Sequence, residues 1–324
     1  MYSFFSNFAA ELKLTFMKVF AAPIQGYTDA PYRHIHASLY SQADVYCAPF
    51  MHLDHGSPRK RDLKDITSPL NDNHHLLPQI LFRNIDEFTL LSEAVIESGY
   101  RTIDLNLGCP FVPQLRKGRG AAMLLNNECM EQIASLTESN RDIAYSIKMR
   151  LGVESPKEWH KIIPVINATR LSHVTIHPRI ATQQYSGDLF MDEFSELLQV
   201  VKHPVMFNGD IRTPSDINSI AEKYPSLTGV MIGRGLLARP SIIEEWRTGR
   251  EWTAEERLQR LLDFHSELFE HYSSVLCGDT QILSKIKPFW EYPAEEIGKK
   301  SAKLIKKAGS IKSYLNAISS IGNS

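Results

Sequence analysis

Cysteine is scarce: Cys47, Cys109, Cys129 and Cys277 are the four in 324 residues, too few and too far apart for a disulfide framework, and no CxxC pair offers a thiolate zinc site. A reducing compartment, the cytoplasm, is therefore expected, and no metal site. Long apolar runs are missing as well; none approaches the roughly 20 residues of a membrane span. The start, MYSFFSNFAAELKLTFMK, lacks the basic n-region of a secretory signal and carries Glu11 inside its apolar stretch. Met17 offers an alternative start, because MKVFAAPIQG opens directly on a strand-like run. Residues 1–18 are then a short N-terminal extension. Charge of neither sign prevails: 36 Lys+Arg face 37 Asp+Glu, a net charge of −1. The bulk charge gives no hint of a nucleic-acid partner, so any basic surface is local.

What is present is ordinary globular composition, 43% hydrophobic and 23% charged, arranged as short apolar runs alternating with longer amphipathic ones. Strands are predicted at Val19–Ala22, Asp44–Ala48, Pro78–Phe82, Thr102–Asn106, Ala144–Met149, His173–His177, Pro204–Asn208 and Gly229–Ile232. Between them, Asn84–Ser98 places Ile85, Phe88, Leu91, Val95 and Ile96 near helical spacing, with Gly99 at the C-cap. Pro156–Thr169 and Pro214–Lys223 open with proline, behind the N-cap candidates Ser155 and Thr213. Eight strand–helix alternations imply parallel strands and crossovers. The count and length fit an α/β fold, a (β/α)8 TIM barrel over residues 19–248. A doubly wound open sheet is the alternative, disfavoured because no GxGxxG follows the first strand. Residues 249–324 hold no convincing strand. Amphipathic helices at Glu255–Val275 and Lys299–Ile318 predict a C-terminal all-helical domain with its boundary near Gly249.

A barrel of this kind forms its active site at the C-terminal ends of the strands. Polar residues and glycines collect there: Pro23–Ile24–Gln25–Gly26 after the first strand, Gln79 in the third, Asn106–Leu107–Gly108–Cys109–Pro110 after the fourth, Lys148 and Arg150 in the fifth. His177–Pro178–Arg179, Asn208–Gly209–Asp210 and Gly233–Arg234–Gly235 follow in the last three. Taken singly, each such residue is more often a structural hydrogen-bonder than a functional one. Coincidence at seven ends is the signal. Glycines in the last two turns let backbone N–H groups approach an anion, so a phosphate cradle is expected there.

These segments resemble the tRNA-dihydrouridine synthase family. The resemblance runs from about Val19 to Pro240 and rests on APIQGYTDAPYR, PQILF, DLNLGCP followed by KGRGAAML, IKMRLG, TIHPRIATQQYSG, FNGDI and GVMIGRGLLARP. LNLGCP followed by KGRGAAML is its most specific element. Pro178 and Ile180 depart from the glycine and threonine common in the family. The resemblance implies FMN as cofactor, with NADPH or NADH as reductant and tRNA as substrate. Pro23, Ile24 and Gln25 would lie along the flavin ring, Gln79 and Lys148 at its polar edge and His177 nearby. Asn208, Gly209, Asp210, Gly233 and Arg234 would hold the ribityl phosphate. Cys109 would be the catalytic acid, and Asn106 and Arg179 would meet the flipped uracil.

The chemistry suits these groups. Saturating the C5–C6 bond of uracil needs hydride at C6, which no side chain supplies, and a proton at C5. A thiol of pKa ~8.5 is mostly protonated at neutral pH yet able to give up its proton. A fixed ammonium at Lys148 would stabilise the negative edge of reduced flavin. Reaching a base inside folded RNA requires unstacking it, hence a grip on the RNA. The tail offers Lys285, Lys287, Lys299, Lys300, Lys303, Lys306, Lys307 and Lys312 against Glu291, Glu295 and Glu296, a local charge of +5. Lys285 and Lys287, in the stretch KIKPFW, are the leading tRNA contacts; Arg116, Lys117 and Arg119 lie just past Cys109. Cys47, Cys129 and Cys277 are expected to be small buried hydrophobes. A monomer is expected. The competing readings are an FMN barrel dehydrogenase acting on a free small molecule such as dihydroorotate, which has no use for a basic tail, and a non-catalytic RNA-binding module that kept the fold, which would hold no flavin and not depend on Cys109.

Overall fold

The computed structural model describes residues 17–321, so most of the expected N-terminal extension lies outside the described residues. Eight parallel strands close a barrel: β1 (Lys18–Ala21), β2 (Val45–Cys47), β3 (Leu76–Leu77 and Gln79–Ile80), β4 (Thr102–Leu107), β5 (Ala144–Gly152), β6 (Val174–Ile180), β7 (Val205–Phe207) and β8 (Gly229–Ile232). β1 pairs with both β2 and β8, so the first and last strands of the barrel are neighbours and the two ends of the sheet fall in the two halves of β3. The third strand differs from the run predicted for it. Pro78, which has no N–H to donate, splits it. Its first half pairs with β2 and its second half with β4.

Local chemistry explains most helix boundaries. Asn84 Oδ1 accepts from the N–H of Glu87 at 3.0 Å and starts helix Ile85–Glu97. Thr213 and Asp216 form a reciprocal capping box at the head of Pro214–Lys223. The helix expected from Pro156 begins only at Trp159, because the Glu158 carboxylate turns back to accept the N–H of Ser155 at 3.2 Å and holds the preceding residues in a turn. In the tail, Ala254–Val275 matches expectation, whereas the run expected over 299–318 is two helices, Ala294–Lys307 and Ile311–Ser319. Ser310 N-caps the second, accepting from Ser313 N at 3.2 Å, and so ends the first. Helix Asp279–Ile286 lies between and has no counterpart in the sequence pattern.

The barrel interior has two unlike halves. Phe20, Ala22, Val45, Cys47, Leu77, Met206 and Met231, from β1, β2, the first half of β3, β7 and β8, fill one with apolar atoms. From the second half of β3 to β6 the other half is lined by polar residues: Gln79, Asp104, Asn106, Ser146, Thr175 and His177, all buried. Their strand neighbours Ile80, Leu105, Ile147 and Ile176 point outward into the main core beneath the helices. A second core joins the tail to the first barrel helix, Ala30–Leu39: Tyr32, Ile35 and Tyr40 pack with Trp252, Leu261, Phe264 and Trp290. The tail is thus seated beside the loop that leaves β1. No helix among the described residues is long and apolar enough to cross a membrane.

Candidate active site

Parallel register carries polar side chains around the barrel in layers. Gln79 pairs with Asp104, and Asp104 with Ser146. One pleat nearer the C-terminal mouth, Asn106 pairs with Lys148, and Arg150 pairs with His177 above that. β4 then runs out into the Cys109 turn. Asn106 Oδ1 accepts from the N–H of Gly108 at 3.1 Å and of Cys109 at 2.8 Å. Arg150 Nε donates to the carbonyl of Gly108 at 2.9 Å. Gly120, at φ +64°, presses on the same turn: a Cβ there would lie 2.7 Å from the carbonyl oxygen of Cys109. The backbone of the turn that carries the half-buried thiol is therefore fixed from three sides.

Burial pushes the Cys109 thiol up from its ordinary value, while the Phe111 backbone N–H and the charges of Arg150 and Lys148 pull it down. At neutral pH the group is a protonated thiol. Burial, reinforced by Arg150, lowers Lys148 to about 8; the charge of Asp104 opposes the shift. His177 falls well below the usual histidine range, first through burial and then through Lys148, Arg150, Arg179 and Arg234. Its Nε2 lies 3.1 Å from a nitrogen of Arg179, a guanidinium that can only donate, so the imidazole is a neutral acceptor.

At the ends of β7 and β8, Asn208 Nδ2 donates to the carbonyl of Met231 at 2.7 Å and ties the two turns together. Gly209 and Gly233 face Leu189 and Ile24. Gly235 is packed so closely that a Cβ would lie 1.9 Å from the carbonyl oxygen of Ile211. Asp210 grips both Arg179 and Arg234. Burial alone would raise its carboxyl; the hydrogen bond and charge of Arg179, with Arg234, hold it below the usual carboxylate range. Pro23 and Ile24 are half-buried at the mouth and Gln25 is exposed beside them. Tyr185, which sequence reasoning left out of the site, is 52% exposed and lies 5.4 Å from the guanidinium carbons of both Arg150 and Arg234. An aromatic in a loop after β6 carries no periodic signal, so position alone reveals it.

The expected RNA contacts divide. Lys285 is paired with Asp29 at 3.0 Å, and Lys287 donates to the carbonyls of Lys306 and Ala308, so both ammonium groups serve the protein itself. Arg119 is buried against Glu87 at 2.7 Å and is not a surface cation. Arg116, Lys117, Lys299, Lys300, Lys303, Lys306, Lys307 and Lys312 are exposed. Cys47 and Cys129 are buried as expected, but Cys277 is exposed, because it follows the end of helix Ala254–Val275.

The sequence profile of the family Dihydrouridine synthase (Dus) matches residues 20–316. A probable tRNA-dihydrouridine synthase of Staphylococcus aureus (strain Mu50) is 28% identical over 278 residues, covering 82% of this chain and 81% of the relative. A second, from Staphylococcus epidermidis (strain ATCC 12228), is 26% identical over 260 residues, covering 78% and 77%. Among solved structures, morphinone reductase superposes with a TM-score of 0.52 at 9% identity, over 73% of this chain and 87% of the other. A 2-naphthoyl-CoA reductase complex gives 0.52 at 11%, over 72% and 50%. At such identities these two likenesses speak for the barrel fold alone.

Proposed function

The chain belongs to the dihydrouridine synthase family, and from that premise we propose that it reduces a uridine in the D-loop of tRNA to 5,6-dihydrouridine, as a cytoplasmic monomer using FMN and NADPH. The observation that carries the reading is a protonated thiol, Cys109, clamped at the barrel mouth beside the ammonium of Lys148. The donor set fits FMN. Lys148 offers positive charge to an electron-rich ring edge, and Arg234 and the backbone of the β7 and β8 turns offer donors to a phosphate. Pro23, Ile24 and Gln25, half-buried to exposed at the mouth, would lie along the flat ring, with His177 as a neutral neighbour. When bound and reduced, FMN supplies the hydride that goes to C6 of uracil. Cys109 gives the proton from Sγ to C5. Lys148 balances the negative charge that gathers beside it. Arg179 is 2% exposed and held by Asp210 and the carbonyl of Gly187 at 2.7 Å, so toward a flipped base it would brace the mouth from beneath rather than reach out to it.

The exposed lysines of Ala294–Lys307 and Lys312 supply the phosphate contacts, and they set this reading above a dehydrogenase of small free substrates. The test is to incubate the purified protein with NADPH and unmodified tRNA and to map dihydrouridine. Product at a D-loop uridine is expected. A colourless protein with no affinity for FMN, or one that reduces free dihydroorotate-like compounds and ignores tRNA, overturns the proposal.

A further inference from the structure

Below the Cys109 turn runs a chain of hydrogen bonds that ends on a carboxylate deep in the barrel. Cys109 N–H donates to Asn106 Oδ1 at 2.8 Å, Asn106 Nδ2 donates to Gln79 Oε1 at 2.7 Å, and Gln79 Nε2 donates to Asp104 Oδ2 at 2.7 Å. The other carboxylate oxygen accepts from Ser146 Oγ at 2.6 Å. Asp104 and Gln79 are fully buried and Asn106 is 7% exposed, so water does not compete for these bonds.

The chain contains two primary amides. A primary amide can turn over at little cost in shape, exchanging its oxygen for its nitrogen. Were Asn106 turned over, Nδ2 would face the N–H groups of Gly108 and Cys109, donor against donor, and the turn would lose its anchor. Asn106 points correctly only while Gln79 presents its oxygen, and Gln79 does so only while its nitrogen has an acceptor beneath it. Asp104 is that acceptor. The direction of the chain survives protonation, because a neutral carboxyl donates to Ser146 through one oxygen and still accepts from Gln79 through the other.

We propose that Asp104 is a positioning residue for the proton-donating thiol: by fixing the amide orientation of Gln79, and through it of Asn106, it sets the geometry of the Cys109 turn. The proposal rests on Cys109 being the proton donor. It makes the hydrogen-bond direction at residue 104, not the charge, the property that matters.

Two substitutions separate direction from charge. Asp104→Asn removes the charge but keeps an oxygen for Gln79 and a nitrogen for Ser146. Asp104→Leu keeps the branched shape and the number of heavy atoms, at a larger volume, and removes the acceptor. Peptide-resolved alkylation of Cys109 by iodoacetamide reads the turn without reference to activity. For Asp104→Leu the alkylation rate should change about 5-fold or more, and kcat on tRNA should fall about 10-fold or more, with KM for tRNA within about 2-fold and flavin reduction by NADPH no slower than in Asp104→Asn, which loses the same charge beside Lys148. Asp104→Asn should stay within about 2-fold of the parent in Cys109 alkylation and in KM for tRNA, and the control Ser146→Ala in every measurement; flavin reduction in Asp104→Asn reads the separate loss of the charge that supports the Lys148 ammonium. Should Asp104→Leu not fold, Gln79→Met cuts the same chain one link higher and is expected to change alkylation equally. A leucine or methionine variant with unaltered Cys109 alkylation, or an asparagine variant as impaired as the leucine one, overturns the proposal. If the parent protein makes no dihydrouridine, the functional reading fails, while the alkylation contrast still decides whether Asp104 sets the turn.

Discussion

The N–H of Cys109 donates to Oδ1 of Asn106 at 2.8 Å, so the place of the thiol is set by a side chain three residues earlier in the same strand end. The thiol itself takes no part in that bond. Removing the sulfur therefore removes a proton donor without dismantling the turn. Cys109→Ala should bind FMN and be reduced by NADPH at the parent rate, while dihydrouridine formation falls by about 100-fold or more, the range expected for loss of a general acid. Single-turnover flavin reduction and tRNA product mapping, run side by side, check this.

Lys148 makes a prediction in pH. Its folded value, about 8, lies below the ordinary 10.5 because burial penalises the ammonium. Between those two values the unfolded chain binds the proton and the folded chain does not, so stability rises with pH across that window. The raised thiols Cys47, Cys109 and Cys129 work in the opposite direction over the same window, so the Lys148 contribution is read as a difference: cofactor-free Lys148→Met should be more stable than the parent at pH 7, and that advantage should shrink between about pH 8 and pH 10.5. The same variant should bind FMN yet be reduced by NADPH about 10-fold or more slowly, since the charge facing the flavin edge is gone. Denaturant titrations over pH and stopped-flow reduction are the measurements.

Much of the site is legible in the sequence, for a physical reason. Every strand-end residue faces one mouth, so the polar residues at run ends already come close to defining a site. Gln79, Asn106, Lys148 and His177 emerge in that way. Asp104, Ser146 and Thr175 do not, although TIDLNLG, AYSIKMRLG and HVTIHPRI alternate polar and apolar residues with period two. That pattern ordinarily marks a solvated face; here the polar side turns inward and the apolar side meets the helices. Which lysines are free is not written in the sequence. Lys285 and Lys287 look like their neighbours there, but only folding brings Asp29 and the carbonyl of Lys306 to them. The break in β3 is hidden because a proline at a strand start and one inside a strand look alike in one dimension.

Gly235 tests the phosphate cradle. A side chain there meets the Ile211 carbonyl at 1.9 Å, a clash that neither backbone segment can absorb without moving apart. Gly235→Ala should force the turns after β7 and β8 apart, lowering thermal stability and weakening FMN binding by about 10-fold or more. Quenching of flavin fluorescence on titration gives the affinity. Unchanged binding would put the phosphate elsewhere.

The exposed lysines of the tail predict a salt signature. Lys299, Lys300 and Lys303 stand within one turn or so of each other on Ala294–Lys307 and are free of ion pairs among the described residues. Replacing all three with alanine should lower the slope of log affinity for tRNA against log salt by about 0.7–0.9 for each phosphate no longer neutralised. Flavin reduction by NADPH should not change. A variant with the parent slope would show that RNA is gripped by another face.

Asp29 joins the site to the tail and yields the last prediction. Its carboxylate accepts from the hydroxyl of Tyr272 at 2.9 Å and pairs with Lys285 at 3.0 Å, while also capping the first barrel helix. The Lys285 pair is 44% exposed on the lysine side, and such pairs contribute about 0.2–1 kcal/mol. The buried Tyr272 hydroxyl weighs more, because without Asp29 it is left with no acceptor where water does not replace it. Asp29→Ala should therefore cost about 2–3 kcal/mol, the sum of a missing cap and an orphaned hydroxyl, whereas Lys285→Ala should cost less than about 1 kcal/mol. Because Asp29 follows directly on the Pro23–Thr28 loop, its removal should also raise KM for tRNA and weaken FMN binding, which the Lys285 change should leave nearly intact. Urea unfolding followed by tryptophan fluorescence, with Trp252 and Trp290 in the tail core as reporters, distinguishes the two. Equal costs for the two variants would mean that the ion pair, not the tyrosine, holds the tail to the barrel.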